Sequence, residues 1–348
     1  MTDKPLVFDL SFEELERYFR DLGEPEYRAS QLWEGIYKSL AASPLQITNL
    51  PMALREKLAA EFRFSAFEEI DELQSLDGAT RKYLLKAYDG ALIEVVLMRY
   101  ERRRTACIST QVGCGMGCVF CATGQMGFQR HLTRGEIVEQ VLITQRKLQE
   151  LDDHLTNVVI MGMGEPFHNY AETMSAIKTL NDSRGFDFGA RRFTVSTVGL
   201  IPMIERFIDE QLQVNLAISL HAATQELRDQ LLPINARYPL GKLIYTCRRY
   251  VNETGRRITF EWALIDGVND TREQAQALAE LVAGMNCHVN LIPLNPTGGY
   301  AGGRTDPRVV EQFLAVLEEN GISATVRVRR GIDIQAGCGQ LATEHKRE

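Results

Sequence analysis

Over roughly the first sixty residues, apolar positions fall three and four apart, as on helices that bury one face. Ser11 precedes Phe12-Glu-Glu14, a capping box with Glu14 at its third position, and the helix it starts is expected to stop at Gly23. Two further helical stretches are expected at 25–39 and 51–62. From about residue 66 the pattern becomes extended. Asp77-Gly78 and Asp89-Gly90 are hairpin-turn dipeptides, and they flank expected strands at 81–87 and 91–100. From residue 104 short apolar runs alternate with helical stretches. Strands are expected at 104–110, 157–162, 192–197, 214–220, 258–265 and 288–294. One intervening helix opens with the capping box Thr133-Arg-Gly-Glu136, another with Asn169 as N-cap. A last helix, 306–320, ends at Gly321 before a strand at 323–330. Repeated strand–helix units predict a parallel sheet with crossover helices, as a partial β/α barrel or a doubly wound sheet.

The bulk composition narrows the class. The chain has 348 residues, 45% hydrophobic and 24% charged, which suits one large domain plus an accessory unit. No apolar run approaches the ~20 residues of a membrane span. The first residues carry no secretory pattern, so a cytoplasmic protein is expected. A net charge of −7 argues against an overall nucleic-acid footprint. Local arginine runs at 102–104, 191–192, 248–249, 256–257 and 327–330 leave room for a patch whose assembly the sequence does not reveal.

Seven cysteines, an odd number, argue against a structural disulfide framework and for metal or catalytic use of the clustered ones. Cys114, Cys118 and Cys121 have C-x3-C-x2-C spacing among glycines. Three thiolates this close can hold three irons of a cube and leave the fourth open for chemistry. Zinc is the rival; it would want a fourth donor, with Cys107 and His131 nearest in sequence. Sites in parallel α/β folds form beyond the C-terminal ends of the strands. There the chain places the cysteine loop, Met161-Gly-Met-Gly-Glu-Pro166, Ser196-Thr197, Ser219-Leu-His221 and Leu294-Asn295. Cys338 lies between glycines, as in a mobile, accessible loop, whereas Cys247 and Cys287 read as buried bystanders.

These residues together resemble a known family. The triplet followed by Ala-Thr-Gly is similar to the signature loop of radical S-adenosylmethionine enzymes. Gly162-Met-Gly-Glu-Pro166, Ser219-Leu-His221, Leu232-Pro-Ile-Asn235, and Gly331-Ile-Asp-Ile through Cys338-Gly-Gln-Leu341 narrow the likeness to the RlmN family, over nearly the whole chain. The resemblance implies an α/β fold: a partial (β/α)6 radical SAM barrel with a small N-terminal helical domain and a connecting β-hairpin. The division expected is a helical accessory domain at 1–65, a hairpin linker at 66–100, the radical SAM core at 101–335, and a C-terminal loop and tail at 336–348.

The same resemblance implies residue roles. Cys114, Cys118 and Cys121 would ligate one [4Fe-4S] cluster. Gly164, Glu165, Ser196, Ser219, Leu220, His221 and Asn295 would contact S-adenosylmethionine. Cys338 would be methylated first, Cys107 would be its partner thiol in a transient disulfide, and Glu94 a proton acceptor. Without the family, Glu94 reads as the exposed face of a strand. Two S-adenosylmethionines would be consumed per methylation of carbon 2 of an adenine in 23S rRNA and tRNA, through a protein–RNA adduct. An electron donor such as a flavodoxin or ferredoxin system would be a partner. Pro166 stands where the related Cfr enzymes, which act on carbon 8, have alanine. Cfr-like chemistry is one alternative; a non-catalytic iron–sulfur or zinc protein that senses redox state or binds RNA is another.

Overall fold

The computed structural model describes residues 4–327 and 330–342. The expected helices form as α1 (Phe12–Asp21), α2 (Tyr27–Tyr37) and α3 (Met52–Glu61). The capping box closes reciprocally: Ser11 N–H donates to the Glu14 carboxylate at 2.7 Å, and Glu14 N–H to Ser11 Oγ at 3.1 Å. These helices share one continuous hydrophobic core with the rest of the chain, running from Leu6 to Leu341.

The strands are β1 (Phe67–Gln74), β2 (Thr80–Ala87), β3 (Leu92–Arg99), β4 (Arg104–Cys107), β5 (Gln111–Gly113), β6 (Phe128–His131), β7 (Asn157–Ile160), β8 (Phe193–Thr197), β9 (Asn215–Ser219), β10 (Ile258–Leu264), β11 (Cys287–Pro293) and β12 (Ala324–Val326). Ten of them make one open sheet in the order β1-β2-β3-β4-β7-β8-β9-β10-β11-β12, and β5–β6 pair separately. From β4 to β12 every neighbouring pair is parallel, which is the expected barrel-type sheet with its seventh, C-terminal strand. Helices cross between the parallel strands: α5 (Arg134–Gln149), α6 (Tyr170–Asn181), α7 (Ile201–Asp209), α8 (Gln225–Leu231), α9 (Leu240–Thr254), α10 (Arg272–Val282) and α11 (Pro307–Glu319), after a single-turn α4 (Ala122–Gln125).

Two features differ from expectation. The hairpin is a three-stranded antiparallel meander, and β3 also pairs antiparallel with β4, so it extends the main sheet. The added strand β1, Phe-Glu-Glu-Ile-Asp-Glu-Leu-Gln, is mostly exposed; its charges hide the strand signal and suit an edge that must not recruit another strand. Asn169 does not cap α6. Its amide instead donates to Thr110 O at 2.9 Å and Leu132 O at 2.8 Å, bracing the two flanks of the cysteine loop.

Helix α5 is buried on nearly all sides because it is sandwiched between the sheet and the N-terminal helices. Gly135 N–H donates to Asp9 at 2.8 Å and Arg146 Nε to Leu40 O at 2.9 Å. The buried Glu139 carboxylate accepts from Ser65 Oγ at 2.8 Å and from the Ala66 amide, and burial pushes its pKa up to about 7. The Thr133 cap accepts from Glu136 N–H at 3.2 Å and starts this helix immediately after the cysteine region. Thr133→Ala should cost about 1 kcal/mol of stability in chemical denaturation, with the ground state of the fold unchanged by circular dichroism.

Candidate active site

The cysteine loop runs from β5 to α4. Cys114 N–H donates to Gly127 O at 2.9 Å, Cys121 N–H to Cys118 O at 3.2 Å, and Val119 N–H to Leu231 O of α8 at 3.2 Å. The three thiols are free, and with the strand ends they line a cleft enclosing about 930 Å³ of empty space, counted out to its open mouth. Burial, above all, opposes their ionisation: it pushes Cys114 up to about 12 and raises Cys118 and Cys121. At Cys118 the other two thiols add to the effect.

The strand ends meet this loop as the topology rule requires. Ser196 Oγ and Ser219 Oγ, on adjacent strands, lie 3.2 Å apart. Glu165 accepts from Phe167 N–H and Val198 N–H, both at 2.9 Å, and so ties the end of β7 to the end of β8; burial pushes its carboxyl up to about 7. Gly164 has φ +102, and a Cβ there would meet Gln111 Cβ at 2.6 Å, so the turn is built for glycine. His221 has φ +59, and its Nδ1 accepts from Ala263 N–H at 2.9 Å. That bond places the proton of the neutral ring on Nε2, and burial, then Arg228, hold its pKa down to about 3. His221 is therefore a neutral donor rather than a base. Of the residues expected at the rim, Gly164, Glu165, Ser196, Ser219, His221 and Asn295 line the cleft; Leu220 lies fully buried behind it.

Cys338 lines the cleft and also a second cavity, of about 710 Å³, which it shares with Cys107. The two cavities share a wall that includes Cys121, Met161, Asn295, Arg327 and Cys338. Cys107 is buried, and burial, then the charge of Cys338, push it up to about 12. No disulfide joins them here; both are free thiols.

The loop carrying Cys338 is not the free loop its glycines suggest. Asn295 Nδ2 donates to Cys338 O at 3.1 Å, Ala122 N–H to Gly339 O at 2.8 Å, and Thr123 Oγ1 to Leu341 O at 2.7 Å. A Cβ at Gly337 would stand 2.5 Å from Asn295 Nδ2, so this glycine permits close packing. The other flank rests on the meander: Leu76 N–H donates to Asp333 at 2.8 Å and Lys82 Nζ to Gln335 O at 3.3 Å.

Glu94 is likewise not on an exposed face. β3 is buried on both sides because the C-terminal segment covers it, and Glu94 forms a buried ion pair with Lys82 at 2.8 Å. Burial raises the Glu94 carboxyl above its usual range, with Lys82 opposing. Its Oε2 has no hydrogen-bond partner among the described residues. Glu94 is not among the residues lining either cavity.

Two residues at the rim escaped the sequence reading. Arg228 of α8 is fully buried, and its guanidinium bonds Asn235 Oδ1 at 2.5 Å and Val198 O at 2.6 Å. Asn235, the last residue of the Leu232-Pro-Ile-Asn motif, is its holder. An arginine on a short helix carries no signal of burial; the motif was the available clue. The arginine runs also gather in part. Arg103, Arg191, Arg256, Arg257 and Arg327 line one groove toward the N-terminal ends of the parallel strands. Of these five, Arg327 alone also lines the cysteine cleft and the cavity that Cys338 shares with Cys107. Arg329 lies outside the described residues.

Comparison with known proteins decides the family. A model of the radical SAM superfamily matches residues 108–282, and one of the ribosomal RNA large subunit methyltransferase N-terminal domain matches 7–63. The dual-specificity RNA methyltransferase RlmN 1 of Myxococcus xanthus is 48% identical, with 98% of this chain and 95% of that protein covered. A probable dual-specificity RNA methyltransferase RlmN of Geobacillus thermodenitrificans is 45% identical, with 99% and 94% covered. The chain belongs to the RlmN family. A crystal structure of a radical SAM methyltransferase from Sphaerobacter thermophilus superposes with a TM-score of 0.96 at 50% identity, covering 98% of this chain and 100% of that one.

RlmN membership implies a [4Fe-4S] cluster and S-adenosylmethionine. The donor set fits that better than zinc. His131, a rival fourth zinc donor, has its Nδ1 3.0 Å from Gln111 Nε2 and packs on Phe128 and His168; Cys107 faces Cys338 instead. Among the described residues no helix is long and apolar enough to cross a membrane.

The Lys82–Glu94 pair provides a stability test. Lys82→Met should cost about 3–5 kcal/mol in denaturant titrations by leaving a buried carboxylate unpaired. Lys82→Met with Glu94→Leu should recover most of that loss.

Proposed function

We propose that this RlmN-family protein methylates carbon 2 of an adenine in 23S rRNA and in tRNA, with the methyl group carried on Cys338. The observation that carries the reading is the placement of Cys338 at the junction of two cavities, one bounded by the cysteine triplet and one by Cys107. The RlmN relatives are named as dual-specificity RNA methyltransferases, which supports two classes of RNA substrate. Pro166, where Cfr-type enzymes have alanine, favours carbon 2 over carbon 8.

In this reading Cys114, Cys118 and Cys121 hold the cluster, and Gly164, Glu165, Ser196, Ser219, Leu220, His221 and Asn295 form the S-adenosylmethionine site. Bound together, cluster and S-adenosylmethionine supply a carbon radical that can take hydrogen from a methyl group, after an electron arrives from a flavodoxin- or ferredoxin-type donor. The chain's own groups do the rest. Cys338 accepts a methyl group from a first S-adenosylmethionine and, with a second, delivers its carbon to the adenine ring. The clasp from Asn295, Ala122 and Thr123 keeps its sulfur at the cavity junction, and the surrounding walls exclude water. Glu94, buried beside Lys82 behind the cavity walls, is the proton acceptor that the family resemblance implies. The adduct gives up its unpaired electron to a redox partner of the same class as the donor, and Cys107 then attacks the Cys338 sulfur: the carbon–sulfur bond breaks, a Cys107–Cys338 disulfide forms, and the carbon left on the RNA takes up a proton to become the methyl group. An adenine carbon that is electrophilic, and so resists a methyl cation, needs such a carrier.

The test is anaerobic assay of reconstituted protein on ribosomal RNA fragments and tRNA, with mass spectrometry locating the methyl. A product methylated only at carbon 8, or no methylated RNA, sinks the reading. Cys338→Ala should lose methylation while keeping a normal iron content. Cys107→Ala should accumulate a protein–RNA adduct, seen as a shifted band on a denaturing gel. Absence of that band would remove Cys107 from the resolving role.

A further inference from the structure

We propose that Arg228, fixed by Asn235, is the buried countercharge of the cysteine-loop metal site and raises the reduction potential of the cluster held there. The inference rests on the assignment of Cys114, Cys118 and Cys121 as cluster ligands, and goes beyond it by naming a positioning residue that touches neither ligand nor substrate.

The arginine is held in a way that leaves its charge unneutralised. Nε donates to Leu220 O at 3.2 Å, Nη2 to Val198 O at 2.6 Å and Ser219 O at 3.4 Å, and Nη1 to Asn235 Oδ1 at 2.5 Å. Every one of these acceptors is neutral. The nearest carboxylate in the network, the exposed Asp229, accepts from Asn235 Nδ2 at 2.6 Å and so reaches the guanidinium only through that amide. Burying a cation among neutral groups is expensive unless an opposite charge sits near it. A neutral donor could join the ends of β8 and β9 at lower cost, so the charge itself calls for a reason.

The cysteine loop supplies one. Cys118 and Val119 pack on the apolar cluster that contains Leu231 and Leu232, on α8 and the turn that follows Arg228. The Val119–Leu231 hydrogen bond, at 3.2 Å, fixes that contact. Val198 and Ser219, whose carbonyls the guanidinium holds, line the same cleft as Cys114, Cys118 and Cys121, so the charge sits directly behind the wall of that cleft. A fixed positive charge beside a thiolate-ligated cluster favours the state with one more electron, because attraction grows as negative charge accumulates in a poorly screened interior. Leu232-Pro-Ile-Asn235 thereby acquires a purpose: its turn brings Asn235 back to hold Arg228 in place.

The test is a redox titration of the reconstituted protein without S-adenosylmethionine, followed by electron paramagnetic resonance. Arg228→Gln should make reduction at least tenfold less favourable, a shift of about 59 mV to more negative potential for one electron. Arg228→Lys, which keeps the charge with fewer hydrogen bonds, should retain most of the wild-type potential. Asn235→Asp, which sets a carboxylate against a guanidinium still in place, should shift the potential in the same direction as Arg228→Gln. It serves as the measurement if Arg228→Gln does not fold. An unchanged potential in Arg228→Gln or Asn235→Asp would overturn the proposal, as would an equal shift in Arg228→Lys, which would assign the effect to hydrogen bonding. Failure of the underlying ligand assignment would look different: wild-type protein without iron, or Cys118→Ala with a normal cluster.

Discussion

If the triplet holds a cluster, as proposed, three thiols must ionise inside a folded protein, and that demand bears on the whole rim. Burial opposes it at Cys114, Cys118 and Cys121, and at Cys118 the neighbouring thiols oppose it further. A cationic cluster would reverse that balance, since coordinated thiols lose their protons. What surrounds the loop is consistent with the reversal. His221 is held neutral, Glu165 is turned onto backbone amides, and Arg228 brings in a full positive charge. The ends of β7, β8 and β9 are thus tied together by the same groups that set the electrostatics of the cleft.

The second organising feature is the clasp on the C-terminal segment. Cys338 is remote in sequence from the cysteine triplet, and a chain end held by glycines would wander. Hydrogen bonds from Ala122, Thr123 and Asn295 fasten it to the cysteine loop and the end of β11, while Leu76 and Lys82 fasten its other flank to the meander. The meander is therefore more than a connection between helical and barrel parts. It extends the sheet past β4 and forms the floor under the Cys338 loop. Burial of Lys82 and Glu94 follows from that covering role.

Charge gathers at both ends of the parallel strands. At the C-terminal ends Glu165 and Arg228 are buried near the thiols, and every hydrogen-bond acceptor of Arg228 is neutral. Toward the N-terminal ends, arginines from separate sequence runs line an open polar groove with Glu261. Glu261 and Arg327 also belong to the wall of the cysteine cleft, so the groove and the cleft adjoin, and Arg327 is the member of that set placed beside Cys338.

Much of the architecture was legible along the chain because its signals are local. Helix caps at Ser11 and Thr133, the strand–helix alternation, and the clustering of small and polar residues at strand ends all depend on neighbours within a few residues. The triplet spacing likewise marks three cysteines that the structure does bring to one cleft. Other features were decided only by tertiary packing. Asn169 could cap a helix or brace a loop, and the nearness of two carbonyls settled it. Glu94 alternates as a surface residue would, until a distant segment covers its strand. Gly337 looks like a hinge and is a close contact. Arg228 carries an ordinary surface residue's signal, and its charge acquires meaning only because α8 packs against the cysteine loop. Periodicity and spacing record which face of an element is apolar; they do not record what will be laid against the other face, and burial of a charge is fixed by that second surface.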